Sequence, residues 1–263
     1  MKKSWLFLII IFISIYFPVR TLNDSEDKRK ANPKYLVAKP DTYNQNKKYS
    51  LLFMLHGHGG DYKQWSEIVD LKFYANKYNF IIVCPDGNYN SWYVDSPVDS
   101  SVKFESYFFN QLVPDIFRKY SIDSGNVFIT GLSMGGHGAI NLFLNHPYFF
   151  KSAGSTSGIL DILPFPNNWG IPKVLGNQET HRDNWINYSA IYNLHKIKNL
   201  NKKLIVDCGT EDFAYDVNKR FRDSCAAHDI NINFIQTKGN HSYDYWAKSI
   251  QKHFEFFAEM AKE

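Results

Sequence analysis

The chain has 263 residues, 44% of them apolar and 21% charged, with a formal net charge of +4. These are globular proportions, and they exclude a disordered chain, a collagen and a multi-span membrane protein. Three cysteines are too few for a disulfide scaffold, and no P-loop or paired C-x-x-C is present.

The first segment reads as an address. Met1-Lys2-Lys3 is basic, and the apolar run from Trp5 to Val19 is 15 residues long. A bilayer span needs about 20. A basic start and a short apolar run fit a signal peptide over residues 1–20, and hence an exported chain, periplasmic or extracellular. No A-x-A precedes Thr21, so an uncleaved N-terminal anchor is the alternative; once the signal is removed, no membrane span remains. Removal lowers the formal charge from +4 to +1, so the basic balance says little about the mature protein. No basic run with interleaved aromatics points to nucleic acid. Residues 21–32 are polar and charged and read as a linker. Residues 33–263 read as a single domain.

From there, short apolar runs alternate with amphipathic stretches. Tyr35–Ala38 is an expected edge strand. Leu51–Leu55 is wholly apolar and runs into His56-Gly57-His58-Gly59-Gly60, as a strand buried on both faces would. Asp61 can cap a helix continuing to about Asn79. Phe80–Cys84 is the next strand, stopped by Pro85-Asp86-Gly87. A helix is expected over Val102–Tyr120, because Phe104, Phe108, Leu112, Ile116 and Tyr120 recur every four residues. Asn126–Thr130 is a strand, Gly131–Gly135 a sharp turn, and Met134–Asn145 a helix. Phe150–Ser155, Lys203–Asp207 and Ile232–Gln236 supply further strands. Trp246, Ile250, His253 and Phe257 share one face of a C-terminal helix. This alternation implies an α/β fold, a mostly parallel central sheet with helices on both faces. Residues 158–184, rich in Pro, Asn, Gly and Trp, break the rhythm and read as an insertion over one end of the sheet.

The chemistry concentrates at Gly131-Leu132-Ser133-Met134-Gly135. This G-x-S-x-G follows an expected strand and opens an expected helix, the context of a nucleophile elbow. Ser133 needs a base to act as a nucleophile. Elbow enzymes place the acid and then the histidine after the serine. Of the late histidines, His253 falls mid-helix and His228 at a helix end. His241 falls in a loop just after the last strand, where open α/β sheets put their sites. The acid is expected after the strand at 203–207. Asp207 is still in the strand; between Glu211 and Asp212 periodicity does not choose. The oxyanion hole needs two amides: that of Met134, after the nucleophile, and one from the Gly-rich loop at 56–60. His137, four residues past Ser133, is expected to pack inward beneath the turn. A Cys208–Cys225 bridge is not expected, since a helix separates the two. A Cys84–Cys208 bridge stays open, with buried free thiols the expectation. No metal-ligand spacing is present.

These segments together resemble the putative-esterase family of α/β-hydrolases, which includes tributyrin, feruloyl and acetyl-xylan esterases, S-formylglutathione hydrolases and mycolyltransferases. The motifs are L-L-F-M-L-H-G-H-G-G at 51–60, P-D-G-N-Y-N-S-W-Y-V-D-S-P at 85–97, G-L-S-M-G-G-H-G-A at 131–139, D-C-G-T-E-D-F at 207–213 and G-N-H-S-Y-D-Y-W at 239–246. The resemblance implies an α/β-hydrolase fold with Ser133 as nucleophile, His241 as base and Asp212 as acid. It implies that His58 supplies the second oxyanion amide beside Met134. It places Ser91-Trp92-Tyr93 by the acyl site, making Trp92 and Tyr93 candidate substrate contacts, with Trp169 of the insertion a third. The implied activity is that of a secreted serine carboxylesterase, without cofactor or metal. Its substrates would be short-chain acyl, acetyl or feruloyl esters, either small molecules or esters carried on plant polysaccharide. An acyltransferase and an S-formylglutathione hydrolase-like thioesterase are the alternatives. Neither ester identity nor oligomeric state follows from the sequence.

Overall fold

The computed structural model describes residues 34–262. The signal-peptide and linker expectations, residues 1–20 and 21–32, lie outside them. The elements in chain order are β1 (Tyr35–Ala38), β2 (Tyr49–Leu55), α1 (Gln64–Ile68), α2 (Leu71–Tyr78), β3 (Phe80–Pro85), α3 (Phe104–Tyr107), α4 (Val113–Lys119) and β4 (Ile122–Gly131). They continue with α5 (Met134–Asn145), β5 (Ser152–Thr156), α6 (Ile171–Leu175), α7 (Arg182–Tyr188), β6 (Lys203–Gly209), α8 (Tyr215–Ala227), β7 (Asn231–Thr237) and α9 (Tyr243–Met260).

The strands form one seven-stranded sheet in the order β1-β3-β2-β4-β5-β6-β7. Only β1 runs antiparallel, pairing with β3 at the edge. The central strands are the continuous apolar runs, because helices cover both their faces. Alternate side chains of β2 therefore enter two different cores. Leu51, Phe53 and Leu55 pack with Phe104, Phe108 and Ile140, while Leu52 and Met54 pack with Trp65, Phe254 and Phe257. Register pairs Leu55 with Gly131 across β2 and β4, so the 56–60 loop and the Ser133 turn leave the sheet side by side.

Two expected helices differ. The one expected over 61–79 is broken. Asp61 accepts from the Lys63 amide in a local turn, and α1 begins only at Gln64. Val69 is extended, and Asp70 caps α2 by accepting from the Phe73 amide. Asp70 competes for the backbone and restarts the helix. The helix over 102–120 contains a π-helical turn at Phe108–Leu112, which the four-residue spacing conceals. The segment 158–184 joins the main core through Ile159, Leu160, Ile162, Ile171, Val174 and Leu175. All three cysteines are buried and free, as their strand and helix positions lead one to expect. Among the described residues, no helix is long and apolar enough to cross a membrane.

Candidate active site

Ser133 sits between β4 and α5 with φ 54° and ψ −117°. A non-glycine residue there carries about 1–3 kcal/mol of strain. The surroundings hold it. The Ser133 amide donates to the Thr156 carbonyl at 3.0 Å, and its carbonyl accepts from the His137 amide at 3.1 Å. Both flanking glycines are required by contact. A Cβ on Gly131 would lie 2.3 Å from the Gly135 carbonyl oxygen, and one on Gly135 would lie 2.3 Å from that of Leu55.

The turn presents Ser133 to residues from two other strand ends. Ser133 Oγ lies 2.9 Å from His241 Nε2. His241 Nδ1 lies 2.9 Å from Asp212 Oδ2 and 3.0 Å from Oδ1. The Asp212 side chain is fully buried, whereas that of His241 is 20% exposed. Asp212 Oδ1 also accepts from the Ala214 amide at 2.8 Å, which fixes the carboxylate plane. Two aromatic rings pack against the imidazole. The Phe213 ring lies 4.4 Å from it, and the Trp246 ring meets it edge-on at 4.9 Å. An Nδ1–H held on a carboxylate leaves Nε2 free to accept the serine proton. The choice that periodicity leaves open between Glu211 and Asp212 has a geometric answer: Asp212 meets His241, while Glu211 is exposed, with Lys238 3.8 Å away.

The 56–60 loop lies opposite. His56 is buried; its Nδ1 bonds the Gly57 carbonyl at 2.8 Å, and its Nε2 accepts from the Gly87 amide at 2.8 Å. Accepting at Nε2 requires the proton to be on Nδ1. The Gly57 carbonyl is thus turned toward His56, with the Gly60 amide 3.1 Å from the same oxygen. Across a trans peptide, the His58 N–H must point the opposite way. Among the described residues, neither the His58 nor the Met134 amide meets an acceptor. Partial burial lowers the His58 imidazole pKa.

These groups share a cleft of about 210 Å³, lined by His58, Ser133, Met134 and His241 and walled by Trp92, Ile159, Trp169, Phe213, Tyr243 and Trp246. Trp92 and Trp169 therefore face the cleft. The Trp92 indole N–H donates to the Trp169 carbonyl at 3.2 Å. Tyr93 does not face it. Its side chain is fully buried, its hydroxyl donates to the His56 carbonyl at 2.8 Å, and its ring packs on Phe104. The expectation for Tyr93 is therefore corrected: of two successive residues at positive φ (Trp92 53°, Tyr93 61°), Trp92 lines the cleft and Tyr93 enters the core. Sequence reasoning also missed Phe213, Tyr243 and Trp246 as walls. The available signal was their position, Phe213 directly after the acid and Tyr243 and Trp246 two and five residues after the histidine.

Two other histidines are structural in geometry. His137 is fully buried under the turn, bonds the Tyr188 carbonyl at 2.8 Å, and burial depresses its pKa to about 4. His253 Nε2 lies 2.6 Å from Asp207 Oδ2, and its Nδ1 lies 2.8 Å from Thr130 Oγ1, all within the core. Among the described residues, no cluster of three or more His, Cys, Asp or Glu could hold a metal ion.

Comparison with known proteins agrees with this architecture. A family model described as "Putative esterase" matches residues 28–257. The chain is 27% identical over 250 residues to an acetyl esterase of Caldicellulosiruptor saccharolyticus, covering 86% of this chain and 91% of that one. It is 25% identical over 210 residues to the S-formylglutathione hydrolase of Bos taurus, covering 70% and 74% of the two chains. A solved ferulic acid esterase superposes with a TM-score of 0.70 at 26% identity, covering 86% of this chain and 91% of that one. A buried mostly parallel sheet, a serine on a strained strand-to-helix turn and these relatives have one reading: the chain is an α/β-hydrolase of the putative-esterase family.

Proposed function

We propose that this chain is an exported serine carboxylesterase that hydrolyses short acyl esters, acetyl esters foremost, through an acyl-enzyme on Ser133. The hydrogen-bonded path from Ser133 Oγ through His241 to Asp212, at 2.9 Å for each link, carries this reading. Ser133 Oγ attacks the ester carbonyl while His241 Nε2 takes its proton. Asp212 stabilises the resulting imidazolium. The amides of His58 and Met134 receive the oxyanion. Its collapse expels the alcohol, protonated by His241. Water, deprotonated by the same imidazole, then attacks the acyl-enzyme and releases the acid. The mechanism calls for no metal or cofactor.

The size of the cleft supports a short acyl group. About 210 Å³ is below the roughly 300–1,000 Å³ of pockets that enclose drug-sized ligands. A feruloyl group would have to extend past Phe213 and Tyr243, which are 50% and 44% exposed at the rim. A formyl thioester also fits, and this favours S-formylglutathione as the second substrate to try. Export is inferred from residues 1–20 alone.

The test is hydrolysis by the purified chain and by Ser133→Ala. The panel is p-nitrophenyl acetate, butyrate and octanoate, methyl ferulate, acetylated xylan and S-formylglutathione. The expected result is highest kcat/KM on acetyl esters and a loss of several decades in the variant. A folded parent inactive on the whole panel contradicts the proposal.

A further inference from the structure

The cleft is bridged on one side by a residue outside the triad and the oxyanion amides. Gln64, the first residue of α1, accepts from the Gly57 amide through Oε1 at 2.8 Å. Its Nε2 donates to the Tyr243 hydroxyl at 3.0 Å, at the start of α9. The direction of the side-chain amide is unambiguous, because an N–H of Gly57 requires an oxygen opposite it. The 56–60 loop closes tightly around this amide: a Cβ on Gly60 would lie 2.8 Å from Gln64 Oε1. The peptide preceding the His58 N–H is thus tethered at each end. His56 and the Gly60 amide hold the Gly57 carbonyl, and Gln64 holds the Gly57 amide.

We propose that Gln64 is a positioning residue that aims the His58 amide at the oxyanion, with Tyr243 anchoring it to the wall that carries His241. The proposal rests on the esterase reading of Ser133. A loop peptide that loses one of its tethers can rotate, and a donor that rotates away stabilises neither of the two tetrahedral intermediates. Preorganised donors act because they need no reorganisation as charge develops. Removing the tether should therefore slow acylation and deacylation alike, and leave ground-state binding of the ester nearly unchanged.

The experiment measures kcat and KM on p-nitrophenyl acetate for the parent, Gln64→Leu, Gln64→Asn and Tyr243→Phe, with Ser133→Ala as the inactive control and thermal unfolding of each. Leu fills the space without polar atoms; Asn keeps the amide but stops one methylene short of Gly57. Removing an oxyanion donor outright costs about 100- to 1,000-fold, so misaiming one should lower kcat by about 10- to 100-fold in both Gln64 variants, with KM within about twofold. Tyr243→Phe should lower kcat by about 2- to 10-fold, the loss of one neutral hydrogen bond. A parent-level kcat in either folded Gln64 variant overturns the proposal, and so does a loss confined to KM. If Gln64→Leu does not fold, Gln64→Asn decides. A parent without esterase activity removes the Ser133 reading and the role of Gln64 with it. An active parent, an inactive Ser133→Ala and an unaffected Gln64 pair remove the role of Gln64 alone.

Discussion

Replacing Asp212 by asparagine isolates the part of the site that sets the tautomer of His241. The structure determines which way the new amide must face. Asp212 Oδ1 accepts from the Ala214 amide at 2.8 Å, so the asparagine oxygen takes that position. Its NH₂ then replaces Oδ2, 2.9 Å from His241 Nδ1. Oδ1 stays 3.0 Å from the same Nδ1 and can still accept from it, but the NH₂ at the shorter contact competes for that atom and shifts the ring proton toward Nε2, the atom facing Ser133 Oγ at 2.9 Å. The base is then already protonated where it should accept. In a Ser-His-Asp triad this exchange costs about 10⁴ in kcat, or about 5 kcal/mol of transition-state stabilisation. The assay is steady-state hydrolysis of p-nitrophenyl acetate by the parent, Asp212→Asn and Glu211→Gln. The expected result is a fall of about three to four decades for Asp212→Asn at little change in KM, and a parent-level rate for Glu211→Gln. A loss below tenfold in Asp212→Asn, or an equal loss in Glu211→Gln, refutes the reasoning.

The buried His137 gives a pH signature. Its pKa is ordinarily 6.5 and is depressed to about 4 by burial. Below pH 6.5 the unfolded chain therefore takes up a proton that the folded chain refuses until about pH 4, and stability falls as pH falls through that window. The depression corresponds to about 3 kcal/mol lost across it. Urea midpoints of His137→Gln should show a correspondingly flatter pH dependence, and parallel curves would contradict this. His253→Ala leaves Asp207 Oδ2 and the Thr130 hydroxyl without their histidine partner in the core, while Asp207 Oδ1 keeps the Thr156 hydroxyl at 2.8 Å, so about 1–3 kcal/mol of stability should be lost in guanidinium unfolding. A loss under about 1 kcal/mol would show that water or repacking satisfies them.

What was legible in the sequence follows physical locality. The central strands were readable because burial on both faces forces unbroken apolar runs such as Leu51–Leu55. The Ser133 turn was readable because Gly131 and Gly135 have no room for a Cβ, a constraint that only glycine meets. His241 was readable as the late histidine in a loop after the last strand, and the loop after β6 as the place of the acid. Which of Glu211 and Asp212 meets the histidine was not, since adjacent residues on a loop carry no periodicity, and the family resemblance alone favoured Asp212. Tyr93 was misplaced because its destination depends on two consecutive positive-φ residues, and no side-chain pattern records backbone sign. Gln64 was not legible, since it lies 179 positions from its partner Tyr243 and acts only once both helices are in place. The Asp207–His253 pair was hidden for a similar reason: the histidine shares a face with Trp246, Ile250 and Phe257, and so reads as one more packing residue.

The central claim is that Ser133 Oγ is a nucleophile activated by His241 and Asp212. Reaction with a fluorophosphonate tests it most directly, because the serine oxygen displaces fluoride and keeps the phosphonyl group. Mass spectrometry of the parent should show one adduct per chain, on the peptide that contains Ser133, and none in Ser133→Ala at the same exposure. An adduct on another residue, an equal adduct in Ser133→Ala, or no adduct on the folded parent would contradict the account.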